Sequence, residues 1–471
     1  MTSCCCCCDL GGVLEEVLNE DANLGIFDDD DDFGGIFGDD YNNDYEGDFD
    51  FNFGYDDIVN GDNINNNQNY EGSTSQSDNG IVFTSNGDGT CYVSDFTDYG
   101  YTDIVIPSVS PAGDKVTRIG DWAFEYSYSL TYVTIPDSVI SIGNYAFYEC
   151  DNLYSITIPD SVTGIGYSAF YSCSNLSSAT IPESVTSIGD YAFYYCSNLT
   201  NVNIPDGVTY IGDSTFANCY ALMNVTIPDS VMSIGTSAFY NCYNLTSITI
   251  PDGVTYISDY AFAYCDNIKS ATIPAFAISY IPNSSLETVT ITSGESIGYA
   301  AFEYCYSLTS VTLCDSITSI SDYAFYYCTN LTDISIPESV TSIGEYAFTN
   351  CYSLRSISIP YGVTNIGNCS FSACESLYNV TLPNSLTSIG DSAFYYCTNL
   401  SSITIPDSVM NIGYTAFYGC DNLTSVTFEN PYGWYYSYYD SVLIPSSELA
   451  DSYVAADYLR SQYTYYYWYR D

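Results

Sequence analysis

Beyond residue 130 the apolar positions follow a template that returns every 23 residues. Leu130, Leu153, Leu176, Leu199, Leu222, Leu245 and Ile268 mark one series, and Leu308, Leu331, Leu354, Leu377, Leu400 and Leu423 a second. One copy reads Leu153-Tyr154-Ser155-Ile156-Thr157-Ile158-Pro159-Asp160-Ser161-Val162, then Ile165-Gly166, Ala169-Phe170 and Cys173. Ile156 and Ile158 alternate with Ser155 and Thr157, the period of a half-buried strand. Pro159-Asp160 ends that strand and turns the chain. Val162 and Ile165 face inward from a second short stretch, Gly166 permits a tight backbone, and Phe170 fills the middle of the coil. No single copy can bury this set alone, so the copies must stack into one continuous core. In-register strands about 4.8 Å apart then give an array roughly 70 Å long.

Between the two series lies Leu286, 18 residues after Ile268 and 22 before Leu308, which brings the total to 14 coils. This short coil keeps its strand, Leu286-Glu287-Thr288-Val289-Thr290-Ile291, but lacks the segment that elsewhere carries Ala-Phe and Cys. A local bend or notch is predicted there. Ahead of the repeats, Ile81-Val82-Phe83-Thr84, Asn86-Gly87-Asp88-Gly89 and Cys91-Tyr92-Val93 read as two strands around a tight turn, a hairpin that caps the open end of a solenoid. The predicted organisation is an acidic disordered section over 1–79, an N-terminal β cap over 80–120, the solenoid over 121–430 with an irregular coil near 274–296, and a C-terminal cap over 431–471.

Composition narrows the function. The chain has 471 residues, with 58 Asp+Glu against 6 Lys+Arg, no His, 52 Tyr and a net charge of −52. Such a surface repels phosphate backbones, so nucleic acid is excluded as a partner, and it attracts cations and basic proteins. Without His, Ser-His and Cys-His nucleophile pairs are ruled out, and the commonest metal ligand is missing. A carboxylate-only mechanism would need two acids converging in a cleft, whereas the acids here recur in rows. The expectation is a protein with no enzymatic activity and no cofactor. No apolar stretch is long enough to span a membrane as a helix. Met1 to Leu10 shows no basic region followed by an apolar one, so a cleavable secretory signal is not expected. Leu10, Val13, Leu14, Val17 and Leu18 share one face of a short amphipathic helix in the acidic section, and Cys4 to Cys8 offer adjacent thiols for acylation, a soft metal or disulfides.

Stacking aligns the candidate chemistry in columns. Cys150, Cys173, Cys196, Cys219, Cys242, Cys265, Cys305, Cys328, Cys351, Cys374, Cys397 and Cys420 form a ladder of parallel side chains, read as small buried hydrophobes kept as thiols. Asp137, Asp160, Glu183, Asp206, Asp229 and Asp252, with Glu338 and Asp407, follow the strand-ending Pro; they are calcium candidates set against a hydrated acidic edge. Tyr148, Tyr171, Tyr194, Tyr240, Tyr326, Tyr395 and Tyr418 follow the buried Phe on the outer arc, suited to protein or glycan recognition or to covering one another. Thr134, Thr157, Thr180, Thr226, Thr249, Thr272, Thr312, Thr381, Thr404 and Thr427 line the strand face; β-propensity explains them, and an ice-matching array is the alternative.

The sequence resembles the BspA-type leucine-rich repeats, whose signature is close to Ala-Phe-x-x-Cys-x-x-Leu-x-x-Ile-x-Ile-Pro-x-x-Val-x-x-Ile-Gly. The resemblance covers residues 80–471. Asp103 to Pro107 with Val116 to Gly120 is similar to the family's entry segment. Phe428 to Pro431 with Gly433-Trp434, a helix near Ser447 to Leu459, and Tyr463 to Tyr469 are similar to its exit. It implies a β-rich solenoid, a right-handed leucine-rich-repeat array with an N-terminal hairpin cap and a C-terminal helix and strand cap. It further implies a surface protein that binds host proteins or glycans in adhesion, at the cell surface or outside the cell. The alternative is a cytoplasmic scaffold for protein–protein interactions.

Overall fold

A computed structural model of the chain describes residues 73–437 and 441–471. Cys4 to Cys8 and the predicted amphipathic helix lie outside the described residues. The fold is a β-solenoid of about 15 turns. Each regular turn contributes to three walls, and the three differ in how their backbones satisfy one another.

The first wall is a stack of three- and four-residue strands, from Asp103–Val105 through Tyr132–Thr134 and Ser155–Thr157 to Ser425–Phe428, hydrogen-bonded as five parallel ladders. Its register pairs like with like: Val133 opposes Ile156, and Ile156 opposes Ala179, all inward and buried. The second wall is built from two-residue parallel strands such as Ser141–Ile142, Gly164–Ile165 and Ser187–Ile188. That stretch is too short for a sequence-level strand pattern, yet the Ile-Gly step repeats it in most turns, with Ile257-Ser258 and Ile320-Ser321 as variants.

The third wall has no strands and was not foreseen. The amides of Tyr145, Phe147 and Glu149 donate to the carbonyls of Tyr167, Ala169 and Tyr171 in the next turn, each at 2.8 Å. Alternate amides can point the same way because Tyr145 (φ 55°) and Glu149 (φ 52°) are left-handed, as are Ser168 and Ser172 one turn on. That conformation costs an L-residue about 1–2 kcal/mol. The three inter-turn hydrogen bonds offset it, since these amides would otherwise be lost to the stack.

Phe124, Phe147, Phe170, Phe193, Phe216, Phe239 and Phe262 form the spine of the core, with neighbouring ring centroids 5.0, 5.3, 5.1, 5.5, 5.5 and 5.2 Å apart and planes nearly parallel. The stack resumes at Phe302 and runs to Phe417. Inward Leu, Ile, Val and Ala surround it as one cluster. Turns approach closely at the glycine after the second-wall Ile: a Cβ on Gly189 would stand 2.5 Å from the Tyr167 nitrogen, so contact rather than φ demands glycine there.

The short coil breaks two walls and spares one. Ser270–Ile273 pairs in full register with Thr288–Ile291, so the first wall continues. The residues that should form the second and third walls are replaced by Pro274 and a 3-10 helix, Ala275–Tyr280. Ala277, Ile278 and Ile281 are buried where a Phe and a Cys are missing.

Both ends close the second wall. At the start Thr74–Gln76, Ile81–Ser85 and Thr90–Phe96 form an antiparallel meander, and Thr90–Phe96 then pairs in parallel with Lys115–Ile119. Ordered structure thus begins before residue 80, inside the section expected to be disordered. Thr74-Ser75-Gln76 has no apolar face to betray it and holds its place through edge pairing. At the far end Tyr467–Arg470 pairs antiparallel with Asn411–Ile412 and Trp434–Ser437, burying Trp434 and Trp468. The expected helix is two short ones, Ser446–Leu449 and Ser452–Asp457, the second capped by Asp451.

Candidate functional site

The cysteine column lies wholly inside. Each of the twelve is buried, and none is in a disulfide. Their thiols donate inward: Cys150 Sγ to the Phe124 carbonyl at 3.0 Å, Cys173 to Phe147 at 3.1 Å and Cys219 to Phe193 at 3.3 Å. Burial pushes the thiols of Cys173, Cys196 and Cys351 well above the ordinary range. A thiol held protonated inside a stack is neither a nucleophile nor a metal ligand.

The seven tyrosines after the coil Phe are only half exposed. Tyr148, Tyr171 and Tyr194 stack with centroids 4.9 and 4.8 Å apart, and Tyr395 stacks on Tyr418 at 5.4 Å. Tyr240 meets Tyr264, and Tyr304 meets Tyr326, edge to face. Burial, then the neighbouring Tyr194, pushes the Tyr171 phenol up to about 12. The more exposed rings occupy other repeat positions, among them Tyr154, Tyr299 and Tyr378. Their positions vary from coil to coil, so periodicity gave no signal for them.

The acids after the strand-ending Pro are all exposed. Among the described residues no three His, Cys, Asp or Glu side chains come together to hold a metal ion. Glu183 accepts from the Asp206 amide at 3.4 Å, and Asp407 pairs with Arg470 at 2.9 Å. Asp252 is the best-supported member of the row: its Oδ1 accepts from Thr292 Oγ1 at 2.6 Å and from Ser293 Oγ at 2.7 Å. Those hydroxyls hold its carboxyl below the usual range.

A second polar ladder went unseen in the sequence. The residue after the second-wall glycine accepts, through its side chain, the backbone amide of its counterpart one turn later. Asp121 accepts from Asn144, Asn144 from Tyr167, and Asp190 from Asp213, each at 2.9 Å. The recurring Asp or Asn after Ile-Gly was the available clue.

Two surfaces remain for recognition. The first wall presents outward Thr134, Thr157 and Thr180 in direct register, flanked by Ser and Asn and bordered by a column that varies: Tyr154, Met223, Lys269, Arg355 and Tyr378 are exposed there. The other surface is the notch left by the short coil, a cleft of about 550 Å³ bordered by Asp252, Thr255, Phe276, Ser293, Glu295 and Tyr299. A second hollow of about 540 Å³ opens beside the same 3-10 helix, next to Tyr260 and Tyr280. Phe276 is 43% and Tyr299 71% exposed, apolar area that a regular coil would cover. No helix among the described residues is long and apolar enough to cross a membrane.

The chain is similar in sequence to leucine-rich repeat proteins of known structure. A leucine-rich repeat protein from Bacteroides ovatus is 31% identical, over 74% of this chain and 98% of its own, with a TM-score of 0.45. A leucine rich cell surface protein from Faecalibacterium prausnitzii is 32% identical, over 76% of this chain and 95% of its own, with a TM-score of 0.41. No curated protein matches the chain. Repeat folds of this kind are generally non-enzymatic binding scaffolds. The model of the BspA type leucine rich repeat region matches residues 117–236, 186–295, 209–331 and 295–424, and the chain belongs to that family.

Proposed function

We propose that this chain is a non-catalytic, adhesin-type binding protein that recognises a protein or glycan through its first wall. The observation that carries the reading is that this wall holds its register through the short coil, Thr249 opposing Thr272, Thr272 opposing Thr290 and Thr290 opposing Thr312, while the other two walls break there. A polar, hydroxyl-rich face with scattered aromatic residues suits a partner gripped by many small contacts around a few rings. The cell surface protein from Faecalibacterium prausnitzii supports a surface location. A second reading, an intracellular scaffold, draws on the free thiol ladder.

Protease shaving of intact cells separates the two: loss of the protein supports the adhesin, and full protection overturns it. Binding to host-protein and glycan arrays should then fall at least tenfold in a Tyr154→Ala, Tyr378→Ala double variant, since truncating one aromatic anchor typically costs about 2 kcal/mol. Unchanged binding by a variant with unaltered melting would remove the first wall as the recognition face.

A further inference from the structure

The short coil leaves the second wall with a missing rung. One ladder of that wall runs Tyr210–Ile211, Ser233–Ile234, Tyr256–Ile257 and stops; the next begins at Ser296–Ile297. In regular coils this wall is stitched by amides that donate back one turn, as Thr163 does to the Ile140 carbonyl and Gly166 to the Ile142 carbonyl, both at 2.9 Å. The groups at the equivalent positions are the Thr255 and Ile257 carbonyls on one side and the Glu295 and Gly298 amides on the other, and Thr255, Glu295 and Gly298 border the cleft. Thr318 and Ser321 take up the far side of the second strand, donating to Glu295 and Ile297 at 2.8 and 3.0 Å. On the near side the coil that should answer is a 3-10 helix, which ties to this turn through the Ala275 amide, donating to the Ser293 carbonyl at 2.8 Å. The two edges flank the cleft, which is bordered by Thr255 on one side and by Glu295, Ser296 and Gly298 on the other, with the 3-10 helix beside it.

We propose that this cleft takes an extended, basic peptide segment of a partner protein as the missing parallel strand. Its amides donate to the Thr255 and Ile257 carbonyls, and its carbonyls accept from the Glu295 and Gly298 amides, the hydrogen-bond pattern of strand addition. Charge selects the occupant. Asp252 and Glu295 border the cleft, and no Lys or Arg does. The first 72 residues of the chain contain no Lys or Arg, and a second copy carries the same net charge of −52, so both are repelled. Tyr299 and Phe276 supply rings for the peptide's alternate side chains.

The experiment presents the full chain to an array of random octapeptides. Binders enriched in Lys and Arg are expected. N-methylation of alternate amides in a binder should weaken it about tenfold, the effect of losing one or two hydrogen bonds. Gly298→Phe should abolish binding without lowering the melting temperature, because a Cβ at Gly298 meets no atom within 4 Å. The Tyr154→Ala, Tyr378→Ala variant should bind these peptides normally, so failure here and failure of first-wall recognition remain distinct. No enrichment, enrichment of acidic or neutral peptides, or binding that survives Gly298→Phe would overturn the proposal. So would concentration-dependent self-association that Gly298→Phe removes, which would make a second copy the occupant.

Discussion

At the scale of single residues, identical sequence positions have unequal burdens, and glycine shows it best. A Cβ at Gly189 meets backbone at 2.5 Å, whereas one at Gly298 meets nothing, because the turn before it lacks a second-wall strand. Gly189→Ala should cost about 1–3 kcal/mol, the range of a forced overpacking. Gly298→Ala should be neutral or slightly stabilising, since it removes only unfolded-state freedom. Chemical denaturation of both variants checks this; equal destabilisation would mean that the notch is closed in solution. The 23-residue period disclosed which residues align, and hence the buried Phe, Leu and Cys columns, from apolar character alone. It could not disclose the left-handed Tyr145, Glu149, Ser168 and Ser172, because these residue types have no preference for that conformation. Only the neighbouring turn imposes it.

At the scale of the element, a wall is a column of identical groups, so each group's environment is set mainly by its own copies. That explains why the sequence predicted the first wall well, from alternation and Pro, and left the tyrosine column open between recognition and mutual cover: whether rings splay or stack depends on turn spacing. The stacks also set an alkaline limit. Burial pushes the phenols of Tyr171 and Tyr220 up to about 12 and the buried thiols well above 9.0. For an acid raised in the folded state, the native chain keeps protons that the unfolded chain releases, so stability falls as pH rises through the unfolded value. Melting temperature should hold steady to about pH 7.5, decline as unfolded-state thiols ionise around pH 8.5, and drop steeply above about pH 10 as phenols follow. Circular dichroism melts across that range provide the check, and a flat profile to pH 11 would contradict the buried stacks.

At the scale of the whole molecule, the solenoid converts an acidic composition into rows of like charge about 4.8 Å apart along each column. Asp137, Asp160, Glu183, Asp206 and Asp229 are exposed in one such row, and only four ion pairs occur among the described residues, each using one of the few cations. Repulsion along these rows acts in the folded state more than in the unfolded chain, where the same acids are far apart. Screening should therefore favour folding, since the Debye length shrinks from about 30 Å at 0.01 M salt to about 8 Å at 0.15 M. The melting temperature should rise by several degrees over that change and level off beyond it. Calcium poses the sharper question, because the acid row was the sequence's best metal candidate. Each turn contributes a single carboxylate to the row, and the described residues bring no three acids together, whereas a calcium site needs six or more oxygens around one point. Calcium chloride should thus stabilise no more than sodium chloride of matched ionic strength. A saturable extra gain at micromolar calcium, lost in Asp160→Asn, would instead show that neighbouring turns share the ion.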